Sequence, residues 1–471
     1  MLASPQFKNT EELPSLAKSS NKIIEQLDLL MQTQQRKSLG GEGIKRIEAY
    51  TSMQDPLLWL HSQKADKKTF WRGRDGEENI AGIGETLVFE SEHGNSSELM
   101  LQRLRRLLSS SSEGVRIFGG MRFNLSSGSV SEEWHSWKHS RFIIPEIELI
   151  STKEGTRLAC NVNLAELGDT RRMQELKKLL SGLTEARSTD SSGSTFHYLN
   201  KSQNPGYEKW CDNVNQALSE IHSGSLQKIV LARKAEYQMQ MAYDPLQILL
   251  NLRDRAPHAY QFCFQIDIDH AWLGISPERL YRRQLRKIET EAVASTRPRG
   301  LGPGEDKKLA MELLQSQKEV REHELVLERI ENLLSQLCDK TTRQSYREIL
   351  KLRHVQHLQS RFEGHLHPEH GEAALLTAIH PTPAVCGIPD EEARSRIEQL
   401  EKFDRGWYAG PVGWFSKNGA EFAVAIRSAL MDHQTLRIFT GAGIVQGSNP
   451  DSEWEEINAK LRNWESILEP V

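Results

Sequence analysis

Short strand-like segments follow one another through most of this sequence, and few are joined by the helical crossover that a parallel sheet requires. Between about Ile47 and Leu164, Thr69–Arg72, Glu85–Glu90, Val115–Gly120 and Arg141–Leu149 are rich in β-branched and aromatic residues. A helix near Ser97–Leu108 interrupts them. Further strands read at Lys228–Arg233, Tyr260–Ile266, Ala271–Ile275, Gly413–Phe415, Glu421–Ile426 and Leu436–Thr440. Helices are expected at Ser20–Gln32, Tyr207–Ile221 (stopped by Gly224), Asp306–Leu337 and Pro450–Leu468. The Ser/Thr/Gly-rich stretch Leu183–Ser202 reads as a surface connection. Interleaved strands and helices with few crossovers predict an α+β fold with antiparallel pairing, not a doubly wound sheet.

The chain has 471 residues, 38% hydrophobic and 26% charged, which suits a globular protein with a sizeable core. A net charge of −4 offers no basic face for nucleic acid. No apolar run approaches the roughly 20 residues of a membrane span. The start lacks a charged segment followed by an apolar one, and Glu11 and Glu12 argue against a transit peptide. A cytoplasmic address is therefore expected. Five scattered cysteines without a CxxC pair fit reduced, structural thiols.

The last helix carries the most chemistry. Asn449 and Pro450 fit an N-cap and the first helical position. Trp454, Ile457, Leu461, Trp464 and Leu468 form an apolar stripe, and Glu453, Glu456 and Lys460 lie on a stripe beside it. Taken alone, those three also fit an exposed row of ion pairs. Before the helix, Thr440-Gly-Ala-Gly443 reads as a turn whose backbone N–H groups could approach an anion. Glu322, in the middle of the long helix, is a second acidic candidate. Magnesium takes oxygen ligands, typically one or two carboxylates completed by water and substrate. Two glutamates on two helices would meet that need. The histidine-dense run His365–His370, with His354, His357 and His380 nearby in sequence, fits no zinc spacing and reads as a solvated loop.

In combination, several segments resemble the chorismate-utilising enzymes and, among them, the isochorismate synthases. They are SLQKIVLAR (225–233), GISPERLYRR (274–283), TEAVASTRPRG (290–300), QKEVREHELV (317–326), VQHLQSRFEG (355–364), HPTPAVCG (380–387), FDRGWYAGPVGW (403–414), FAVAIRSAL (422–430) and GAGIVQGSNPDSEWEEINAKL (441–461). FWRGRDG (70–76) and Arg141–Leu149 look like the family's opening strands. The resemblance implies a single chorismate-binding domain, a large, mainly antiparallel sheet sandwich flanked by helices. Its parts would be an N-terminal helical extension (1–45), the N-terminal part of the fold (46–204) and a catalytic region (205–471). It also implies a monomer or weak homo-oligomer whose partner is the small molecule chorismate.

By resemblance, Lys228 is the general base that deprotonates water attacking ring carbon 2, and Glu278 the general acid at ring carbon 4. Glu322 and Glu456 match the magnesium-site glutamates, with Glu453 acting through a water. Arg427, Lys460, Gly441 and Gly443 match a carboxylate grip, with Thr296 and Tyr408 lining the pocket. Ala384 stands where the family's ammonia-using and pyruvate-eliminating members tend to carry threonine, which favours isochorismate over a lyase such as a salicylate synthase. A non-catalytic ligand-binding relative is the third alternative. Two positions depart from the family pattern. Ser295 stands where glycine is usual, and so does Cys386.

Overall fold

The computed structural model describes residues 13–37, 42–125, 130–187, 194–351 and 355–471. Two antiparallel sheets dominate it. The first, of thirteen strands among the described residues, runs from Ile44–Thr51 at one edge through Lys68–Arg72, Tyr260–Gln265 and His270–Ser276 to Thr435–Val445 and Lys228–Met239. Its far edge is formed by Phe196–Asn204 and Leu468–Pro470, which pair in parallel, unlike the other pairs. The second has nine strands among the described residues, from Cys338–Lys351 through Val355–Leu366, Lys287–Pro298, Arg279–Gln284 and Gly419–Val424 to Leu87–Ser91. Strands from either side of residue 205 pair within both sheets: Lys68–Arg72 with Tyr260–Gln265, and Arg116–Met121 with Pro411–Ser416.

Side chains of a strand alternate between faces, so a sheet covered on both sides reads as a continuous hydrophobic run. The first sheet behaves this way. Trp71, Phe262, Phe264 and Trp272 join one core with Phe118, Phe142, Tyr281 and Phe422 of the second sheet. Their neighbours Phe70, Cys263, Ala271 and Leu273 face the opposite way, into a second core with Leu16, Ile23, Leu57, Trp59 and Leu249 from helices. The result is a sandwich with helices over the outer face, as the family resemblance implied.

Some expectations change. The helix near the N-terminus extends over Leu16–Lys37. Phe196–Asn204 is a strand, begun inside the stretch expected to be a connection; Phe196 is buried and pairs with Leu468. The helix expected over Asp306–Leu337 is two helices, Pro303–Gln315 and Gln317–Leu337. Ser316 breaks it, with an extended backbone and a side chain that accepts the Glu319 N–H as an N-cap. Thr440–Gly443 is not a turn but lies within the strand Thr435–Val445, with Gly441 opposite Ala232 and Gly443 opposite Val230. The last helix ends at Glu465, capped at Asn449, whose side chain accepts the N–H groups of Asp451 and Ser452. Among the described residues, no helix is long and apolar enough to cross a membrane.

Candidate active site

A cavity opens where Lys228–Met239 and Thr435–Val445 of the first sheet face Lys287–Pro298 and Val355–Leu366 of the second. The helices Gln317–Leu337 and Pro450–Glu465 add to its wall. It brings together Lys228, Glu278, Glu322, Ala384, Tyr408, Arg427, Gly441, Gly443, Glu453, Glu456 and Lys460. Thr296 lies on the strand Lys287–Pro298 opposite His357; its side chain is outside the described part of the structure.

Lys228 opens a strand and is followed by the apolar Ile229, Val230, Leu231 and Ala232; it is only 1% exposed. Its ammonium donates to Glu322 Oε1 at 2.9 Å. Burial opposes ionisation of Glu322, but the charge and hydrogen bond of Lys228 prevail and hold it below the usual carboxylate range. Gly443 makes this approach possible. A Cβ there would lie 2.7 Å from Glu322 Oε1 and 3.2 Å from Lys228 Cε.

Glu278 is 9% exposed, and among the described residues its carboxyl has no hydrogen bond. Burial first, then the charge of nearby Glu291, push it up to about 8 against the pull of Lys228, Lys460 and Arg74. At neutral pH it is therefore an acid with a proton to give.

Glu319, Glu322, Glu453 and Glu456 line one part of the cavity. Glu453 pairs with Lys318 at 2.8 Å and Glu456 with Lys460 at 2.7 Å. Burial raises Glu319 and Glu453 above the usual range, with Glu322 adding to the first and Glu456 to the second. The four crowded carboxylates form a hard, all-oxygen donor set, the chemistry that suits a divalent cation. They do not close into a tight cage. Among the described residues, the group with three ligand atoms within 4.8 Å of one another is His270, Asp432 and His433, none of which lines the cavity.

Another part of the wall holds Arg427, whose guanidinium makes no hydrogen bond or ion pair among the described residues; burial holds its pKa below the ordinary value. Thr440 Oγ1 is likewise buried without a partner. Lys460 donates to the carbonyl of Gly441 at 2.8 Å, so here it is this glycine's oxygen that is engaged. Tyr408 stacks on Phe439, with ring centroids 5.2 Å apart.

Backbone strain concentrates here. Ser295, Ala409 and Arg427 have φ of 64°, 63° and 50°, and all three line the cavity. Ser295 explains why glycine suits its position, since a left-handed backbone disfavours any Cβ. Its hydroxyl lies 2.7 Å from the Glu319 carbonyl and 3.1 Å from Glu322 Oε2, so the replacement adds a contact to the carboxylate cluster. Cys386 is buried with its thiol pushed up to about 12 by burial, and it does not line the cavity.

Several wall residues were not singled out from sequence. Lys318 and Glu319 precede Glu322 by four and three positions, the spacing that puts side chains on one helix face. His357 is the clearest correction to the expected solvated loop. It is buried in the cavity wall, with Nδ1 3.1 Å from the Ser295 carbonyl, and burial with Arg427 and Lys460 lowers it to about 3. His380 is also buried, and His354 lies outside the described residues.

Fold and cavity together define an α+β enzyme. The family described as "Chorismate binding enzyme" matches residues 30–469. Isochorismate synthase 2 of Arabidopsis thaliana, a chloroplastic protein, is 37% identical over 409 residues, covering 83% of this chain and 72% of that one. Isochorismate synthase MenF of Haemophilus influenzae is 31% identical over 426 residues, 88% and 89% of the two chains. The solved structure of MenF from Escherichia coli, the menaquinone-specific isochorismate synthase, superposes with a TM-score of 0.81 at 27% identity, covering 95% of this chain and 99% of that one. The chain belongs to the chorismate-binding enzyme family.

Proposed function

We propose that this protein is an isochorismate synthase, an isomerase that converts chorismate to isochorismate with magnesium as cofactor. One observation carries the proposal: a buried amine, Lys228, and a carboxyl pushed up to about 8, Glu278, line the same cavity as the Arg427 guanidinium, which has no ion pair among the described residues. In this mechanism Lys228 acts as the neutral amine, having first lost its ammonium proton to solvent, and takes a proton from water as its oxygen bonds to ring carbon 2. The double bond between ring carbons 1 and 2 moves to carbons 1 and 6, and that between 5 and 6 moves to 4 and 5. The bond from carbon 4 to its hydroxyl breaks, and Glu278 supplies the proton with which the hydroxyl leaves as water. One water enters and one departs, so no redox partner is needed. The raised Glu278 is matched to this acid role near neutral pH.

Arg427 is suited to bidentate binding of a planar carboxylate, with Thr440 and Lys460 beside it. Glu322 and Glu456 would hold magnesium directly and Glu453 through a water. Bound there, the ion would supply positive charge to the ring carboxylate. Ala384 keeps that part of the wall small and apolar, which favours the isomerase over a lyase. We place the enzyme in the cytoplasm, as a monomer or weak homo-oligomer acting on chorismate, and assign its product to menaquinone synthesis by similarity to the E. coli enzyme, with siderophore synthesis as the alternative.

Incubating the purified protein with chorismate and magnesium and identifying the product by NMR tests this. Isochorismate is expected. Pyruvate and salicylate would make it a lyase, and untouched chorismate would remove the proposal.

A further inference from the structure

The carboxyl of Glu278 has no hydrogen bond among the described residues, so its direction is set through its backbone. That backbone is held on every side. The Glu278 N–H donates to Ser276 Oγ at 3.2 Å, and that hydroxyl donates to the Val424 carbonyl at 2.6 Å. The Glu278 carbonyl accepts the Val424 N–H at 3.1 Å.

The peptide groups on either side are gripped by one buried ion pair. The Arg74 guanidinium meets both carboxylate oxygens of Glu291, with Nη2 to Oε2 at 2.9 Å. Its Nη1 also donates to the carbonyl of Pro277 at 3.0 Å. Glu291 Oε1 accepts the N–H of Arg279 at 3.3 Å, and Gln359 donates to Oε2 at 2.8 Å. The Glu291 side chain is 1% exposed. Arg74 follows the strand Lys68–Arg72, 203 residues before Pro277 in sequence. A buried ion pair returns little net stability once both charges are desolvated. What this one delivers is geometry, because its fork and carboxylate each contact a peptide group adjoining Glu278.

We infer that Arg74 and Glu291 are positioning residues for Glu278: the pair clamps the Pro277 carbonyl and the Arg279 N–H and so fixes the direction from which the acid meets the substrate. The inference rests on the role proposed above for Glu278. A displacement of the acid by about 1 Å is enough to lower turnover on the order of 100-fold.

The test compares Arg74→Met, Arg74→Lys, Glu291→Gln and the double variant Arg74→Met/Glu291→Gln with wild type. Measured quantities are kcat and KM for chorismate, magnesium affinity by calorimetry, and the melting temperature. The expected result is a kcat lowered roughly 10- to 100-fold, with KM and magnesium affinity within about threefold. The double variant should be no worse than the worse single one, because the two residues act as a unit. Arg74→Lys keeps the charge but loses the fork, and should stay impaired. Recovery by lysine would overturn the clamp in favour of charge alone. Folded variants with kcat within about twofold of wild type, or losses that only track the folded fraction, would also overturn it. If Arg74→Met does not fold, the isosteric Glu291→Gln decides, with kcat read at a pH where Glu278 stays protonated so that the lost charge of Glu291 does not account for the change. A wild-type protein that makes another product defeats the proposed function, while the variants' effect on that turnover still decides the clamp. A wild type inert toward chorismate overturns both.

Discussion

The ammonium of Lys228 and Oε1 of Glu322 stand 2.9 Å apart, with side chains 1% and 13% exposed. The carboxylate that pairs with the proposed base is thus also the proposed metal ligand, and two cations compete for it. Lys228→Met should lower kcat by roughly 100- to 10,000-fold while tightening magnesium binding, read by calorimetry. Weaker magnesium binding in this variant would count against a shared carboxylate. Chelation of the metal from wild type should abolish turnover, and added magnesium should restore it.

Glu278 should make activity fall on the alkaline side. Because its carboxyl is pushed up to about 8, kcat/KM should decline as pH rises through that value and the acid loses its proton. Glu278→Gln should leave a small residual rate without this limb. The sign for stability follows from the same shift. Between the ordinary glutamate value of about 4.3 and 8, the folded chain holds a proton that the unfolded chain has lost. Stability from this group is complete below that window and is lost as pH rises across it. Glu278→Gln should therefore gain melting temperature relative to wild type between pH 4 and pH 9; a constant difference would contradict it.

Ser295 separates backbone strain from hydrogen bonding. Ser295→Gly removes about 1–2 kcal/mol of left-handed strain but also the one proton that the hydroxyl shares between the Glu319 carbonyl and Glu322 Oε2, worth about 1 kcal/mol. Its stability should lie within about 1 kcal/mol of wild type. Ser295→Ala keeps the strain, loses the shared hydrogen bond and should be destabilised by about 1 kcal/mol. Both should bind magnesium more weakly, because Glu322 loses one of its anchors. Denaturant melts and calorimetry check this, and equal stabilities for the two variants would refute it.

Gly443→Ala should damage activity more than folding. The added methyl meets the movable end of Glu322 and the stem of Lys228, and no strained φ is involved. We expect kcat to fall roughly 100-fold or more with a melting temperature within about 3 °C of wild type. A large loss of stability with normal turnover would show that the crowding is relieved elsewhere.

The fold class was legible because strand and helix periods are local properties. Runs such as Tyr260–Gln265 declare themselves by composition, and the scarcity of crossovers decides antiparallel pairing. The misread elements are those in which a single side chain or a distant partner decided. Ser316 splits a helix by capping the next one. Phe196–Asn204, within polar text, becomes a strand because Lys228–Met239 and the C-terminus pair with it.

By itself the sequence determined the order of elements, the apolar stripe of the last helix and the chemical types available: two glutamates and a lysine beside that stripe, a lysine opening an apolar strand, a glutamate after Ser-Pro. Only the tertiary structure decided which of them meet. Lys228 and Glu322 are 94 positions apart, and Arg74 and Glu291 are 217 apart. Their approach depends on pairing across two sheets, and burial and field effects on a carboxyl arise from neighbours in space. No local pattern encodes either.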